Sequence, residues 1–254
     1  MTKTTKQEFF GFFRQRLVNL KQIEALDPAV KMGSAASFNP ELNILLSAEL
    51  DALAKYWAIN QNNIYAREPD KRLGEFLSHH SHPAWSYCSH LDLIRRASEE
   101  SRAARQGHNP TAKQLPDRVC QEADLQRILY EDLGPLVWTP SVISWQHDPG
   151  LDFLSQNSKI SVAGIPVEWP RRSRYGEILY RHYRSGWLHA IEPHPELHTE
   201  YHHILDRERS PHYLCHNSVR VFAIPTEFIL RSLESALKAF HAALPDGAEV
   251  VLRP

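Results

Sequence analysis

Apolar residues recur at helical spacing through most of this chain. Phe9, Phe13, Leu17 and Leu20 fall three or four apart within residues 5–26 and form a single stripe. Residues 40–58 carry a denser pattern of Leu42, Leu45, Leu46, Leu50, Leu53 and Trp57, and the preceding Asn39-Pro40 pair suits a helix start. A third helix is predicted from Glu68-Pro-Asp70 to about His80, with Leu73, Phe76 and Leu77 inward, and His82-Pro83 ends it. Leu91, Leu93 and Ile94 open a further piece to about Arg105, and Val119, Leu125, Ile128 and Leu129 mark another over 116–133. The last helix is predicted over 225–244, with Phe228, Ile229, Leu233, Leu237 and Phe240 on one face.

The pattern breaks between residues 134 and 170, which hold five of the 17 prolines. There Ile160–Trp169 alternates in a way that predicts a small hairpin, and Val219–Ile224 reads as a short strand. The expected fold class is all-α: one helical domain over 1–254, with a mixed, partly β insertion at about 97–173. A segment at 174–191 is predicted as a helix after that insertion, and a His- and Pro-rich stretch runs from there to Asn217.

Composition adjusts this picture modestly. Hydrophobic residues make up 42% and charged residues 23%, values of an ordinary globular chain, which argues against general disorder. The net charge is −1, so any affinity for nucleic acid must come from a local basic patch. Three scattered cysteines, Cys88, Cys120 and Cys215, form neither a disulfide framework nor a Cys-x-x-Cys site and point to a reducing, cytoplasmic setting. The N-terminus has no signal-peptide core, and no apolar run is long enough to predict a membrane span.

The segment with most chemistry is Arg174-Tyr-Gly-Glu-Ile-Leu-Tyr-Arg-His-Tyr-Arg184-Ser-Gly-Trp-Leu-His189. Arg184 and His189 are separated by four residues, and guanidinium with imidazole can cleave RNA without metal: one holds phosphate charge, the other moves protons. Arg207 and His212 repeat the spacing, but Pro211 disfavours a helix there. On a regular helix of about 100° per residue, Tyr175, Leu179, Tyr183, Trp187 and Ala190 share one face, while Arg181, Arg184, Ser185 and His189 share the other. Arg184 and His189 then diverge by about 140°, which calls for a second copy of the chain to complete a site.

Four stretches carry a resemblance: Ile44–Ala54, Leu73–Leu77, Leu179–His189 and the closing amphipathic helix. In this order they resemble the HEPN superfamily. The resemblance implies an HEPN-like helical bundle, commonly a homodimer, and a metal-independent endoribonuclease of a bacterial defence, toxin–antitoxin or abortive-infection system. It makes Arg184 and His189 the catalytic pair, with Ser185 at the polar position after the arginine. His189 is then expected to draw the proton from a ribose 2′-hydroxyl or to protonate the leaving 5′-oxygen, and Arg184 to clamp the scissile phosphate. Glu49 and Asp51 either support that pair or form an ion pair with Arg184. Arg171, Arg172, Arg174 and Arg181 lie just upstream as a patch for tracking RNA phosphates. The reading requires no cofactor and no metal; its partners are RNA, a second subunit and an antitoxin-like or defence-system protein.

Two alternatives stand beside it. Some HEPN-like proteins are non-catalytic binding or dimerisation modules. A His-rich metal protein is the other, because eight histidines fall between 182 and 216 and His79-His80-Ser-His82 forms a second cluster. Trp85, Tyr87, Trp138, Trp145 and Trp169 are read either as core packing or as stacking platforms for bases. Phosphate-binding glycine loops and Gly-x-Ser-x-Gly elbows are absent from the sequence.

Overall fold

The computed structural model describes residues 2–25, 40–61, 65–105, 115–133, 143–144, 148–184, 210–216 and 219–253. Helix accounts for 75% of the described residues, so the class is all-α with small sheets attached. The larger helices are α1 (Lys6–Ala25), α2 (Pro40–Asn60), α3 (Pro69–His80), α4 (His90–Arg105) and α5 (Leu115–Leu133). Three short helices come after them: α6 (Leu151–Gln156), α7 (Ser158–Val162) and α8 (Glu168–Arg172). Next come α9 (Tyr175–Ile178), which runs into a π-helical segment over Leu179–Arg184, and the closing α10 (Thr226–Ala243).

The main core is built by α1, α2, α3, α9 and α10. Helix α1 buries Phe9, Phe10, Phe13, Leu17 and Leu20. Its aromatic rings meet Tyr56 of α2 edge-on at 5.1 Å from Phe9 and Phe240 of α10 at 5.4 Å from Phe10. Helix α2 buries Leu42, Leu46, Leu50, Leu53 and Trp57, a row three or four residues apart. Leu45, expected inward, sits outside that row and is partly exposed. Helix α3 ends at His80, and a 3₁₀ turn over Pro83–Ser86 begins with the His82 ring accepting the Ala84 N–H at 3.1 Å. That turn buries Trp85, whose indole N–H donates to Ser232 of α10 at 2.8 Å.

A second, smaller core joins α4, α5 and the short helices through Leu93, Ala97, Leu125, Ile128, Leu129, Leu154, Ile160, Ile165 and Trp169. The hairpin expected at 160–169 is absent, and this is a correction. Asn157 accepts the Lys159 N–H at 3.0 Å and starts a helical turn, while Gly164, at φ 65°, ends it. Ile160, Ile165 and Trp169 then face one core, and Val162 and Val167 are left 88% and 68% exposed.

Strands β1 (Thr2–Thr5) and β5 (Glu249–Arg253) pair antiparallel, with Thr4 opposite Val250 and Thr5 opposite Glu249. A separate sheet has the order β2 (Ile143–Ser144), β3 (His212–His216), β4 (Val219–Ala223), with Tyr213 opposite both Ile143 and Phe222. It binds the region of the expected insertion to the strand predicted near 219–224. Among the described residues, no helix is long and apolar enough to cross a membrane.

Candidate functional site

The start of the chemically rich segment is fixed by an unusually close helix crossing. A Cβ on Gly176 would lie 2.5 Å from the Cα of Gly74, so α9 and α3 can meet only as glycine on glycine. The neighbouring charges are sealed by that contact. Arg174 donates from Nε and Nη2 to the two oxygens of Glu177 at 2.8 and 2.9 Å, a fork on a carboxylate, with both side chains at most 2% exposed. Nη1 of Arg174 also donates to Ser78 at 3.2 Å and approaches Glu75 at 3.4 Å. Burial lifts the Glu177 carboxyl to about 7 against the pull of Arg174. Burial alone would lower the guanidinium, but Glu177 outweighs it and keeps Arg174 above its ordinary value.

Beside this pair lies a second buried polar group. The chain at Tyr87–Ser89 runs between two others: Cys88 N–H donates to the Pro149 carbonyl at 2.9 Å, Ser89 N–H to Ser173 at 2.7 Å, and Tyr175 N–H to Tyr87 at 3.0 Å. Asp148 is enclosed there, 3% exposed. It accepts the hydroxyls of Tyr175 and Tyr213 and the backbone N–H of His90 at 3.0 Å. Burial pushes its carboxyl up to about 7 despite those three donors. The His90 ring is also enclosed, and burial brings it down to about 4, so it is neutral near pH 7. Burial raises the Cys88 thiol well above its usual range, which leaves it protonated and unreactive.

The segment itself differs from the regular helix expected over 174–191. Four α-helical residues, Tyr175–Ile178, give way to a π-helical turn at Leu179–Arg184, whose larger number of residues per turn changes the angle between successive side chains. Over Leu179–Arg184 the uniform reckoning of about 100° per residue therefore does not hold; the angle of about 140° expected between Arg184 and His189 falls on residues outside the described ones. Tyr175 and Leu179 are buried as expected, but so are Gly176, Glu177 and Ile178, and the segment packs against α2 and α3. The π turn is described as far as the backbone of Arg184; the side chain of Arg184, Ser185 and His189 lie outside the described residues.

The other expected site residues are dispersed. Glu49 is buried in an ion pair with Arg16 of α1, and burial raises its carboxyl. Asp51 accepts Arg72 of α3 at 2.6 Å. Arg174, placed by sequence in a surface patch, is an interior cation neutralised by Glu177 and Glu75, and this is a second correction. Arg171 lies over the Tyr65 ring at 4.4 Å, bonds its hydroxyl, and sits 3.8 Å from Glu75. Arg172 is exposed, and its carbonyl accepts a hydrogen bond from Arg181.

Arg181 instead belongs to a cluster centred on Asp92 of α4. Asp92 accepts Arg95 at 2.6 Å and Arg96 at 2.9 Å, with Arg181 3.8 Å away. Burial would raise the Asp92 carboxyl, but Arg96 and Arg95 more than offset it and hold it below the ordinary range. The signal was present in Asp92-x-x-Arg95-Arg96, whose spacing of three and four places the cations over the carboxylate on a helix.

Of the eight histidines between 182 and 216, only the His212 side chain is described; it is buried, with Nδ1 2.8 Å from the Ser210 carbonyl. In the second cluster, His80 packs between Trp57, Phe76 and Phe240. His82 caps the 3₁₀ turn and meets Phe228 edge-on. Among the described residues, no group of three or more His, Cys, Asp or Glu is placed to hold a metal ion. Trp85 and Trp169 are core residues, whereas Trp138 and Trp145 lie outside the described residues.

No family model, curated protein or solved structure matches the chain.

Proposed function

We propose that the chain is an HEPN-like helical protein that cleaves RNA without metal, with Arg184 and His189 as the reacting pair of a homodimer. The observation that carries this reading is the anchoring of the segment leading to Arg184. The forked Arg174–Glu177 pair and the Gly74–Gly176 contact fix its first turn in the bundle, and the π-helical turn that ends at Arg184 is a form frequent at functional sites. In the proposed reaction the ribose 2′-oxygen attacks phosphorus and the P–O5′ bond breaks. One proton leaves the 2′-hydroxyl and one reaches the 5′-oxygen, giving a cyclic phosphate and a 5′-hydroxyl. DNA, lacking the 2′-hydroxyl, is then resistant.

A non-catalytic binding or dimerisation module is the second reading. It is favoured by the neutralisation of Arg171 and Arg174 by Glu75 and Glu177, which removes half of the expected upstream patch. Incubating the purified protein with RNA in EDTA separates the two. Cleavage lost in Arg184→Ala and in His189→Ala supports the nuclease; intact RNA beside a stable dimer supports the module, and cleavage that survives both substitutions removes the catalytic assignment.

A further inference from the structure

We infer that Arg96 and Arg181, gathered with Arg95 around Asp92, form a binding site for a backbone phosphate of single-stranded RNA. Three guanidinium groups share the Asp92 carboxylate, and Arg95 also donates to Glu99 at 2.7 Å. Arg181 lies 3.8 Å from Asp92, beyond hydrogen-bond range, so the carboxylate attracts it without satisfying it. Nη2 of Arg96 and Nε of Arg181 are buried N–H groups with no acceptor. Donors on a charged group are rarely left so, because they lose water and gain nothing in return.

The Arg96 and Arg181 side chains keep 12% and 23% of their surface exposed, while the two unpartnered N–H groups are covered, so a phosphate reaches them by a small shift of the side chains. The two arginines come from different elements, α4 and the π turn, and both approach the same Oδ2 of Asp92. Paired guanidinium forks match the tetrahedral oxygens of a phosphate, and exposed Arg172 adjoins them through its carbonyl bond to Arg181. The choice of RNA as the carrier of that phosphate rests on the proposed function: Arg181 precedes Arg184 by three residues. The phosphate held here then belongs to a nucleotide flanking the one that reacts.

The test is fluorescence anisotropy with a labelled 2′-O-methyl RNA oligonucleotide, which binds as RNA but has no free 2′-hydroxyl to react, measured over a range of salt. Arg96→Gln and Arg181→Gln should each weaken binding about tenfold or more, and each should lower the slope of log affinity against log salt by about 0.7. Arg96→Lys keeps the charge beside Asp92 but loses the fork and should fall between. Arg127→Gln, an equal charge change on an exposed arginine of α5, should bind as wild type. Inorganic phosphate alone, compared with chloride at equal ionic strength, should compete weakly; full displacement at low millimolar phosphate would assign the site to the free anion and overturn the RNA assignment. Circular dichroism confirms folding, and should Arg96→Gln fail it, Arg181→Gln and Arg96→Lys decide. Unchanged affinity and slope in the folded variants, no binding by wild type, or an equal loss in Arg127→Gln overturns the inference. Binding that depends on Arg96 and Arg181 in a protein that never cleaves RNA keeps this site and removes the nuclease; cleavage with an unchanged KM in those variants does the reverse.

Discussion

Gly176 of α9 rests directly on Gly74 of α3, with room for no side-chain atom between them. A Cβ on Gly74 would in turn fall 2.6 Å from Nη2 of Arg174, so the glycine pair and the ion pair form one packed unit. Gly176→Ala should therefore destabilise the fold by about 1–3 kcal/mol, as overpacking of a close contact does. Gly11→Ala, on the exposed face of α1 with nothing within 4 Å, should be neutral or stabilise by about 0.5–1 kcal/mol. Urea denaturation of the two variants measures both, and equal effects would show that the crossing has slack.

Removing one partner of the buried ion pair should cost far more than removing both. Arg174→Met strands Glu177 in the interior and should lower stability by about 3–5 kcal/mol. Arg174→Met with Glu177→Leu should recover much of that loss, since two apolar side chains require no desolvation of charge. A double-mutant cycle by chemical denaturation gives the coupling, and additive losses would contradict a direct pair.

Stability should depend on Asp148 in a defined pH window. Its folded value, about 7, lies above the ordinary carboxylate range, so the folded state holds the proton more tightly. Its contribution is fully present below that range and is lost as pH rises through about 7, at up to about 1.4 kcal/mol per pH unit. Glu177 acts in the same sense, whereas His90, brought down to about 4, stabilises at higher pH and loses that contribution on acidification. Comparing wild type with Asp148→Asn isolates the first effect: the deficit of the variant should be larger at about pH 5 than at about pH 8. A deficit independent of pH would mean that Asp148 does not change protonation across the window.

Asp92→Asn separates stability from binding. The carboxylate steadies Arg95 and Arg96, so its loss should cost about 1–3 kcal/mol in thermal unfolding. The same change releases guanidinium charge at the proposed phosphate site, so RNA should bind more tightly and with a steeper salt dependence. Weaker RNA binding by a folded Asp92→Asn protein would count against that site.

The long helices were readable because each buries a stripe at a spacing that only a helix satisfies; Leu42, Leu46, Leu50 and Leu53 need nothing from elsewhere in the chain to be recognised. Ile160–Trp169 misled because alternation over so few residues also fits two helical turns, and the deciding signals were Asn157 and Gly164 at their ends. Arg174 reads as a surface cation in the sequence because its principal partners meet it only in three dimensions: Glu177 stands at a spacing of three, but Gly74, Glu75 and Ser78 are about a hundred residues away. Asp148 gave no local sign at all, since its tyrosines arrive from residues 175 and 213. The spacing of Arg184 and His189 is plain in the sequence, but the π turn over Leu179–Arg184 has no counterpart in a helical wheel.

The pairing of Thr2–Thr5 with Glu249–Arg253, and of the α1 aromatics with Phe240, has a consequence for synthesis. A chain made from its N-terminus produces Phe9 and Phe10 long before α10 exists to cover them, and α2 shields only the side facing Tyr56. Until α10 has been made, the nascent protein carries a sticky aromatic face that this helix later cloaks.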